Sequence, residues 1–258
     1  MIDVEGLLAA GKKGVCKVGI GLAADAFSST EKLIKSNGGR IQLVRFDDPH
    51  GLVYSLKHGR IDAAVRGTMS STDVLREIKH MFGIHEVMRT AVLLDHDRKA
   101  FLLTPVGIDE GKDIEARLAI VRASVGYFSP IGWKPKIGIL SKGRIEDIHR
   151  GEDIRLSIED GEKICAKLKG EGLEATHYTI LIEQAVKECD LVLAPSGVTG
   201  NLIFRALHFV GGTVAYGAPV VNLKEVFVDT SRAKKDFSDS VYLAAGLVAA
   251  KARAQPRA

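Results

Sequence analysis

Cysteine is scarce and dispersed in this chain. Its 258 residues include three, Cys16, Cys165 and Cys189. None falls in a C-x-x-C pair or beside a histidine at metal-ligand spacing, which excludes a disulfide scaffold and the common zinc motifs. They read as reduced thiols of a cytoplasmic protein. An excess of charge of one sign is missing too: 36 basic residues stand against 32 acidic ones, a net charge of +4. That balance is too slight and too evenly spread for a nucleic-acid or membrane surface, and it is compatible with a small anionic substrate. Long hydrophobic runs are also absent. The richest, Val241–Ala250, is about half of the roughly 18 to 20 residues needed to cross a bilayer. At the N-terminus Asp3 and Glu5 precede the first apolar residues and Lys12 and Lys13 follow them, the wrong order for a secretory signal, so export is not expected. No Gly-x-Gly-x-x-Gly follows a strand and no aspartate cluster of the Mg²⁺-binding kind is present. Neither nicotinamide nor metal chemistry is therefore expected. There is no internal repeat and no low-complexity segment.

What is present is alternation. Hydrophobic residues make up 46% of the chain, enough for one large core or two smaller ones. Short β-branched runs alternate with helical patterns nearly end to end, the signature of an α/β fold with a mostly parallel sheet. Val15–Leu22, Ile41–Phe46 and Asp62–Val65 read as strands. Helices are expected over Ser28–Lys35, capped by Ser28 with Glu31 three residues on, over His50–His58 and over Thr72–His80. From Arg89 the texture changes to two apolar runs split by Asp95-His-Asp-Arg98, a hairpin pattern. Further strands are expected at Lys136–Leu140, Glu174–Thr179, Leu191–Ala194, Thr213–Tyr216 and Glu225–Val228. Ser157 with Asp160 is expected to cap one more helix, Ile182–Lys187 to form another, and Ser238 with Asp239 to cap a closing one. The terminal Ala-Gln-Pro-Arg-Ala is expected to fray.

In open α/β sheets ligands bind beyond the carboxyl ends of strands, so three loops carry the candidate chemistry. Pro195-Ser-Gly-Val-Thr-Gly-Asn201 leads into a helix expected to begin near Asn201. Its free N–H groups would suit an anion, although a capped turn with glycines for geometry is an equal reading. In Arg66-Gly-Thr-Met-Ser-Ser-Thr-Asp73, with Arg76 beyond, hydroxyls and two arginines converge; a guanidinium there either binds phosphate or is simply solvated. In Asp229-Thr-Ser-Arg232, followed by Lys234, Lys235, Asp236 and Asp239, Ser231 and Asp229 are ligand contacts or helix caps. His177, on a strand, reads as a packed or hydrogen-bonded histidine; His149 and Cys189 have no partner in sequence.

These loops carry a family resemblance. Gly217-Ala-Pro through Asp229-Thr-Ser-Arg-Ala233 resembles the phosphotransacetylase run that ends in Asn-Asp-Leu-Ser-Arg-Gly. Pro195–Asn201 resembles that family's Pro-Asp-x-x-x-Gly-Asn, and Arg66–Arg76 resembles its Ser-Gly-Ala-x-x-x-Thr-Ala-Asp-x-x-x-Arg segment with a gap. More closely, Gly138-Ile-Leu-Ser-Lys-Gly-Arg144, Ser157-Ile-Glu-Asp-Gly-Glu162, Ala194-Pro-Ser-Gly and Gly200-Asn-Leu-Ile-Phe-Arg205 are similar to methanogenesis marker protein 4, also called methyltransferase Mtx subunit X. That similarity spans nearly the whole chain.

The resemblance implies a methanogenic archaeal source and a phosphotransacetylase or isocitrate dehydrogenase-like fold. Two α/β/α domains would flank a cleft, with residues 1–86 and 225–258 forming a discontinuous domain and 87–224 an inserted one. It also implies acyl or related group transfer between a phosphate and a thiol such as coenzyme A, which would be a substrate and not a resident cofactor. A small anionic substrate, a homodimer and a methyltransferase partner subunit are implied as well. Ser231, Arg232 and Asp239 would be catalytic. Gly67, Thr68, Ser70, Ser71, Thr72, Arg76, Ser196, Gly197, Thr199, Gly200, Asn201 and Asp229 would bind substrate. The family's base is an aspartate seven residues after its serine, where this chain has Ser238; Asp239 lies one further on and Asp236 two earlier. Ser196 also replaces the aspartate of Pro-Asp, and the two missing aspartates favour, as an alternative, a non-catalytic binding or regulatory protein that kept an anion site and lost turnover.

Overall fold

The computed structural model describes residues 2–254. Of the segment expected to fray, residues 255–258 lie outside that range. The chain divides into two compact units, one of Asp3–Val87 with Tyr216–Ala258, the other of Met88–Ala215 with Met1–Ile2.

In the first unit the chain runs α1 (Val4–Lys13), β1 (Lys17–Gly21), α2 (Ala24–Ser36), β2 (Gln42–Phe46), α3 (Pro49–Lys57), β3 (Ala63–Val65) and α4 (Ser71–Phe82). Asp48 caps α3 with Pro49 behind it, Ser70 caps α4, and Gly83 ends α4 in the left-handed conformation, the usual chemistry of helix ends. Ser28 does not cap α2, which begins four residues earlier. Its hydroxyl instead donates to Ala24 O within the helix, the alternative use of a serine at i+4.

The second unit contains β4 (Ala91–Leu94), β5 (Ala100–Thr104), α5 (Ile114–Phe128), β6 (Lys136–Leu140), α6 (Glu152–Gly170), β7 (Glu174–Thr179), α7 (Ile182–Glu188), β8 (Leu191–Leu193) and α8 (Gly197–Arg205). The expected hairpin forms between β4 and β5. Helix α5 has apolar residues on most of its positions, so it lacks the polar stripe by which an amphipathic helix is read from sequence. Ser157 lies inside α6, not at its cap, and accepts from the Lys142 N–H. The chain then forms β9 (Val214–Pro219), β10 (Val226–Asp229) and α9 (Ser238–Ala254).

Strand order in the first unit is β2-β1-β3-β10-β9, parallel except for β9. In the second it is β4-β5-β8-β6-β7, parallel except for β4. The central strands β3, β8 and β10 are buried at every position, as parallel strands covered on both faces must be. On one face of the first sheet, Leu52, Val53, Leu56, Val74 and Ile78 of α3 and α4 pack with Phe227. Helix α9 packs on the same strands and against α1. The expected α/β class with mostly parallel strands is borne out. Among the described residues no helix is long and apolar enough to cross a membrane.

The α1–α9 crossing is close because both helices place glycine there. A Cβ on Gly246 would lie 2.1 Å from Leu7 O, and one on Gly11 would lie 2.0 Å from Tyr242 O. Gly246→Val is therefore expected to force the helices apart and to destabilise the first unit by about 1–3 kcal/mol, the usual cost of overpacking. Urea denaturation followed by far-UV circular dichroism checks this.

Candidate functional site

In the first unit β1, β3 and β10 are neighbours and parallel, so the loops that follow Gly21, Val65 and Asp229 leave the sheet side by side. Arg66 binds them together. It is only 5% exposed, and its Nε donates to Asp229 Oδ1, its Nη2 to Thr230 O and its Nη1 to Met69 O at 2.6 Å. The Asp229 carboxylate also accepts from Thr230 N at 2.9 Å, and the Thr230 hydroxyl donates to Gly67 O at 2.9 Å. On the other side Thr68 N donates to Gly21 O at 2.9 Å. Gly67 makes that contact possible. Its φ is +65° and a Cβ on it would lie 2.1 Å from Gly21 O, a conformation and an approach open only to glycine.

The two arginines read as converging are separated by this arrangement. Arg66 points inward into the ring of bonds, whereas Arg76 is exposed on α4 and pairs with Asp73 at 2.9 Å. Of the other expected residues on this side, Thr68 and Thr72 are exposed, Ser71 is half-buried, and the Ser70 hydroxyl accepts from Asp73 N at 3.4 Å as the α4 cap. Arg66 stands in the candidate loop but outside the expected binding set. Its signal is an arginine that directly follows the buried run Ala63–Val65, matched by an aspartate that ends a second buried run, Val226–Val228.

In the loop after β10, the Ser231 hydroxyl accepts from Ala233 N at 3.2 Å. Arg232 is exposed and makes no ion pair among the described residues. Lys234 turns inward and donates to the Ser240 hydroxyl at 3.2 Å; burial pushes its ammonium below the usual lysine range, against the pull of Asp239 and Asp236. The start of α9 differs from the expected cap. The Asp236 carboxylate, not Asp239, accepts from Ser238 N at 2.8 Å and from Ser238 Oγ at 3.0 Å. Asp239 sits half-buried in the first turn of α9.

In the second unit, α8 begins at Gly197 and not near Asn201, so the expected anion loop is its first turn. Ser196 is the cap: its Oγ accepts from Thr199 N at 3.2 Å and lies 3.0 Å from Thr199 Oγ1. The helix docks on the loop after β5. Gly197 N donates to Glu110 O at 3.1 Å, and Asn201 Nδ2 donates to Val106 O at 2.8 Å. A Cβ on Gly200 would lie 1.9 Å from Pro105 O. Of the two readings of this turn, the geometry has the features of the capped one. The loop is itself held by the buried pair Arg89–Glu110, with Nε to Oε1 at 2.6 Å, and Glu110 also accepts from Gly107 N at 3.1 Å. Burial raises the Glu110 carboxyl above its ordinary range, while Arg89 and the backbone N–H groups pull it back.

Arg66→Ala leaves Asp229 buried without its guanidinium, which is expected to cost about 3–5 kcal/mol. Asp229→Asn should also destabilise. Because each single change strands the other partner, the double variant is expected to cost less than the two single costs added, which a double-mutant cycle in urea checks.

No protein-family model matches the chain. The protein named "Putative methyltransferase mtx subunit X" of Methanosarcina acetivorans is 39% identical over 88% of this chain and 82% of its own length. An "Uncharacterized methyltransferase" of Methanopyrus kandleri is 36% identical over 85% of this chain and 93% of its own. Among solved structures, a branched-chain phosphotransacylase from Enterococcus faecalis superposes with a TM-score of 0.71 at 17% identity, covering 91% of this chain and 99% of that one. A phosphotransacetylase from Streptococcus pyogenes gives 0.65 at 13% identity, covering 98% and 99%. The fold is therefore that of the phosphotransacetylases, and the sequence identities say that the chain belongs to the methyltransferase mtx subunit X family.

Proposed function

We propose that the protein is a transferase that moves an acyl or related group between a phosphate and a thiol such as coenzyme A, in the cytoplasm of a methanogenic archaeon. The observation that carries this reading is the Arg66 ring. It fixes the Asp229–Arg232 segment beside the Gly67–Thr68 turn and leaves Arg232 free of any ion pair among the described residues. An exposed guanidinium beside a hydroxyl and a glycine turn suits a phosphate or acyl phosphate oxygen. In this reading Ser231 and Arg232 stabilise the charge that develops on the transferred group, with Gly67, Thr68, Ser70, Ser71, Thr72 and Arg76 along the same sheet edge. Asp229 acts by holding the segment in place. Ser196, Gly197, Thr199, Gly200 and Asn201 shape the start of α8.

The base of this reading is Asp239. Asp236 is already engaged by Ser238, and position 238 itself offers only a hydroxyl. A base must come within about 3 Å of the thiol proton it removes, so Asp239 must reach the bound thiol from the first turn of α9. The division of the chain into a discontinuous domain and an inserted one belongs to the same reading, as does assembly as a homodimer.

A second reading is favoured by the names of the relatives: a subunit that serves a methyltransferase and binds a partner chain. Calorimetry separates the two. Coenzyme A or an acyl phosphate is expected to give saturable heat with the full chain, and Arg232→Ala is expected to weaken the phosphate-bearing ligand by at least about tenfold, the loss of one charge-assisted contact. No heat with either ligand, together with co-purification of a methyltransferase chain from the native host, would support the second reading instead.

A further inference from the structure

The segments Gly138–Arg144 and Ser157–Glu162, prominent in the sequence, take no part in the function proposed above. The fold brings them to His177. Ser141, directly after β6, has its Oγ 3.0 Å from His177 Nε2, and His177 Nδ1 lies 2.6 Å from Glu162 Oε1 on α6. Ser141 is buried, the His177 side chain is 4% exposed and that of Glu162 is 61% exposed. The Ser141 hydroxyl donates to Gly143 O at 3.1 Å; with Nδ1–H donated to the carboxylate, the Nε2 lone pair is a second acceptor within that hydroxyl's reach. That is the order of groups that makes a serine nucleophilic.

Local features build this chain of bonds. The pairing of β6 with β7 slips at Tyr178, since Ile139 faces His177 but Leu140 faces Thr179, a bulge of the kind that re-aims side chains. Thr179, next in the strand, has a φ of +57°. That conformation is costly for a β-branched residue, of order 1–3 kcal/mol, and persists only where its surroundings enforce it. Its carbonyl accepts from Ser141 N at 2.7 Å. On α6, a Cβ at Gly161 would lie 2.5 Å from His177 Nε2, so the ring is seated against bare helix backbone. A buried hydroxyl pair of the ordinary structural kind is found elsewhere in the unit, between Thr90 and Ser124 at 2.7 Å, and it needs neither an imidazole nor a carboxylate. An ion pair to a carboxylate as exposed as Glu162 adds at most about 1 kcal/mol to stability, a weak reason to bury a histidine.

We propose that Ser141, His177 and Glu162 form a second reactive centre, with Ser141 the nucleophile toward a small, activated acyl group carried by an anionic donor. The turn that follows Ser141 supplies exposed Lys142 and Arg144 for such a donor, and its position beyond the carboxyl end of a parallel strand is where α/β sheets bind ligands. In the step, the Ser141 Oγ–H proton passes to His177 Nε2 as Oγ bonds to the acyl carbon. The bond from that carbon to the thiolate or phosphate leaving group breaks, and the leaving group takes the proton from His177. Water then attacks the acyl-serine by the same proton route, releasing the carboxylic acid and restoring Ser141. Glu162 is a positioning residue that holds the imidazole tautomer. The burial of Ser141 restricts the acyl group to a small one.

The test is labelling of the full chain with a small alkyl fluorophosphonate, in which Oγ displaces fluoride from phosphorus, read by intact mass and peptide mapping. One adduct per chain on the Ser141 peptide is expected. Ser141→Ala should abolish it. Glu162→Gln, a change at an exposed side chain that leaves folding intact, should slow it by at least about tenfold. Absence of an adduct at Ser141 on protein with an unchanged melting transition overturns the proposal, and so does Glu162→Gln labelling at the wild-type rate. Neither readout uses coenzyme A, phosphate or Arg232, so the outcome is independent of the transferase reading.

Discussion

The guanidinium of Arg66 is the constraint on which the carboxyl edge of the first sheet depends. Strands β1, β3 and β10 are short and end in loops without regular structure, and each loop exposes backbone groups that must find partners. One side chain meets several of these needs together: it neutralises Asp229 and ties down the Thr230 and Met69 carbonyls. A lysine could neutralise the aspartate but could not reach three acceptors in different directions from one planar group. Burial of an unpaired charge here would be costly, so the pair and the loop geometry stand or fall together.

The second unit solves the same problem with a different pair. Arg89 and Glu110 are both buried, and Glu110 gathers Gly107 N while its own carbonyl receives Gly197 N at the start of α8. In both units a fixed ion pair beyond the strand ends commits the local polar groups to architecture. What remains for chemistry is the minority that the architecture leaves exposed. That is why the proposed transferase reading gives substrate contact to Arg232 and not to Arg66, although Arg66 has the more ordered surroundings.

Much of this was legible in the sequence, because strand identity rests on local patterns. Ala63–Val65 and Val226–Asp229 are short buried runs with polar residues after them, and the loops that follow were identified by that change alone. Helix starts were less legible. A serine followed three residues later by an acid occurs at Ser28 and Ser157, yet both lie inside helices: the Ser28 hydroxyl donates to Ala24 O of its own helix, and the Ser157 hydroxyl accepts from Lys142 N of the turn after β6. Ser196 shows the converse: it is a cap, but the glycines after it hid the helix they begin. Non-local convergence was the least legible of all. Nothing within a window of residues pairs Arg66 with Asp229, 163 positions away, or His177 with Ser141, 36 positions away.

The loop between Arg232 and Ser240 shows how a family pattern can be kept in outline while its electrostatics change. Asp236 is drawn into a cap by Ser238, a residue that offers it a hydroxyl and an N–H together. Lys234 goes inward toward Ser240, where burial lowers its affinity for a proton while Asp236 and Asp239 restore part of it. The negative charge of Asp239 is thus partly answered by Lys234. An ionised carboxylate is ready to accept a proton but is a weak base toward a thiol, whose ordinary pKa of about 8.5 lies well above that of aspartate. In the proposed transferase reading, proton removal by Asp239 therefore requires a bound thiol that is itself acidified by nearby positive charge, which in this loop the exposed Arg232 and Lys235 can supply.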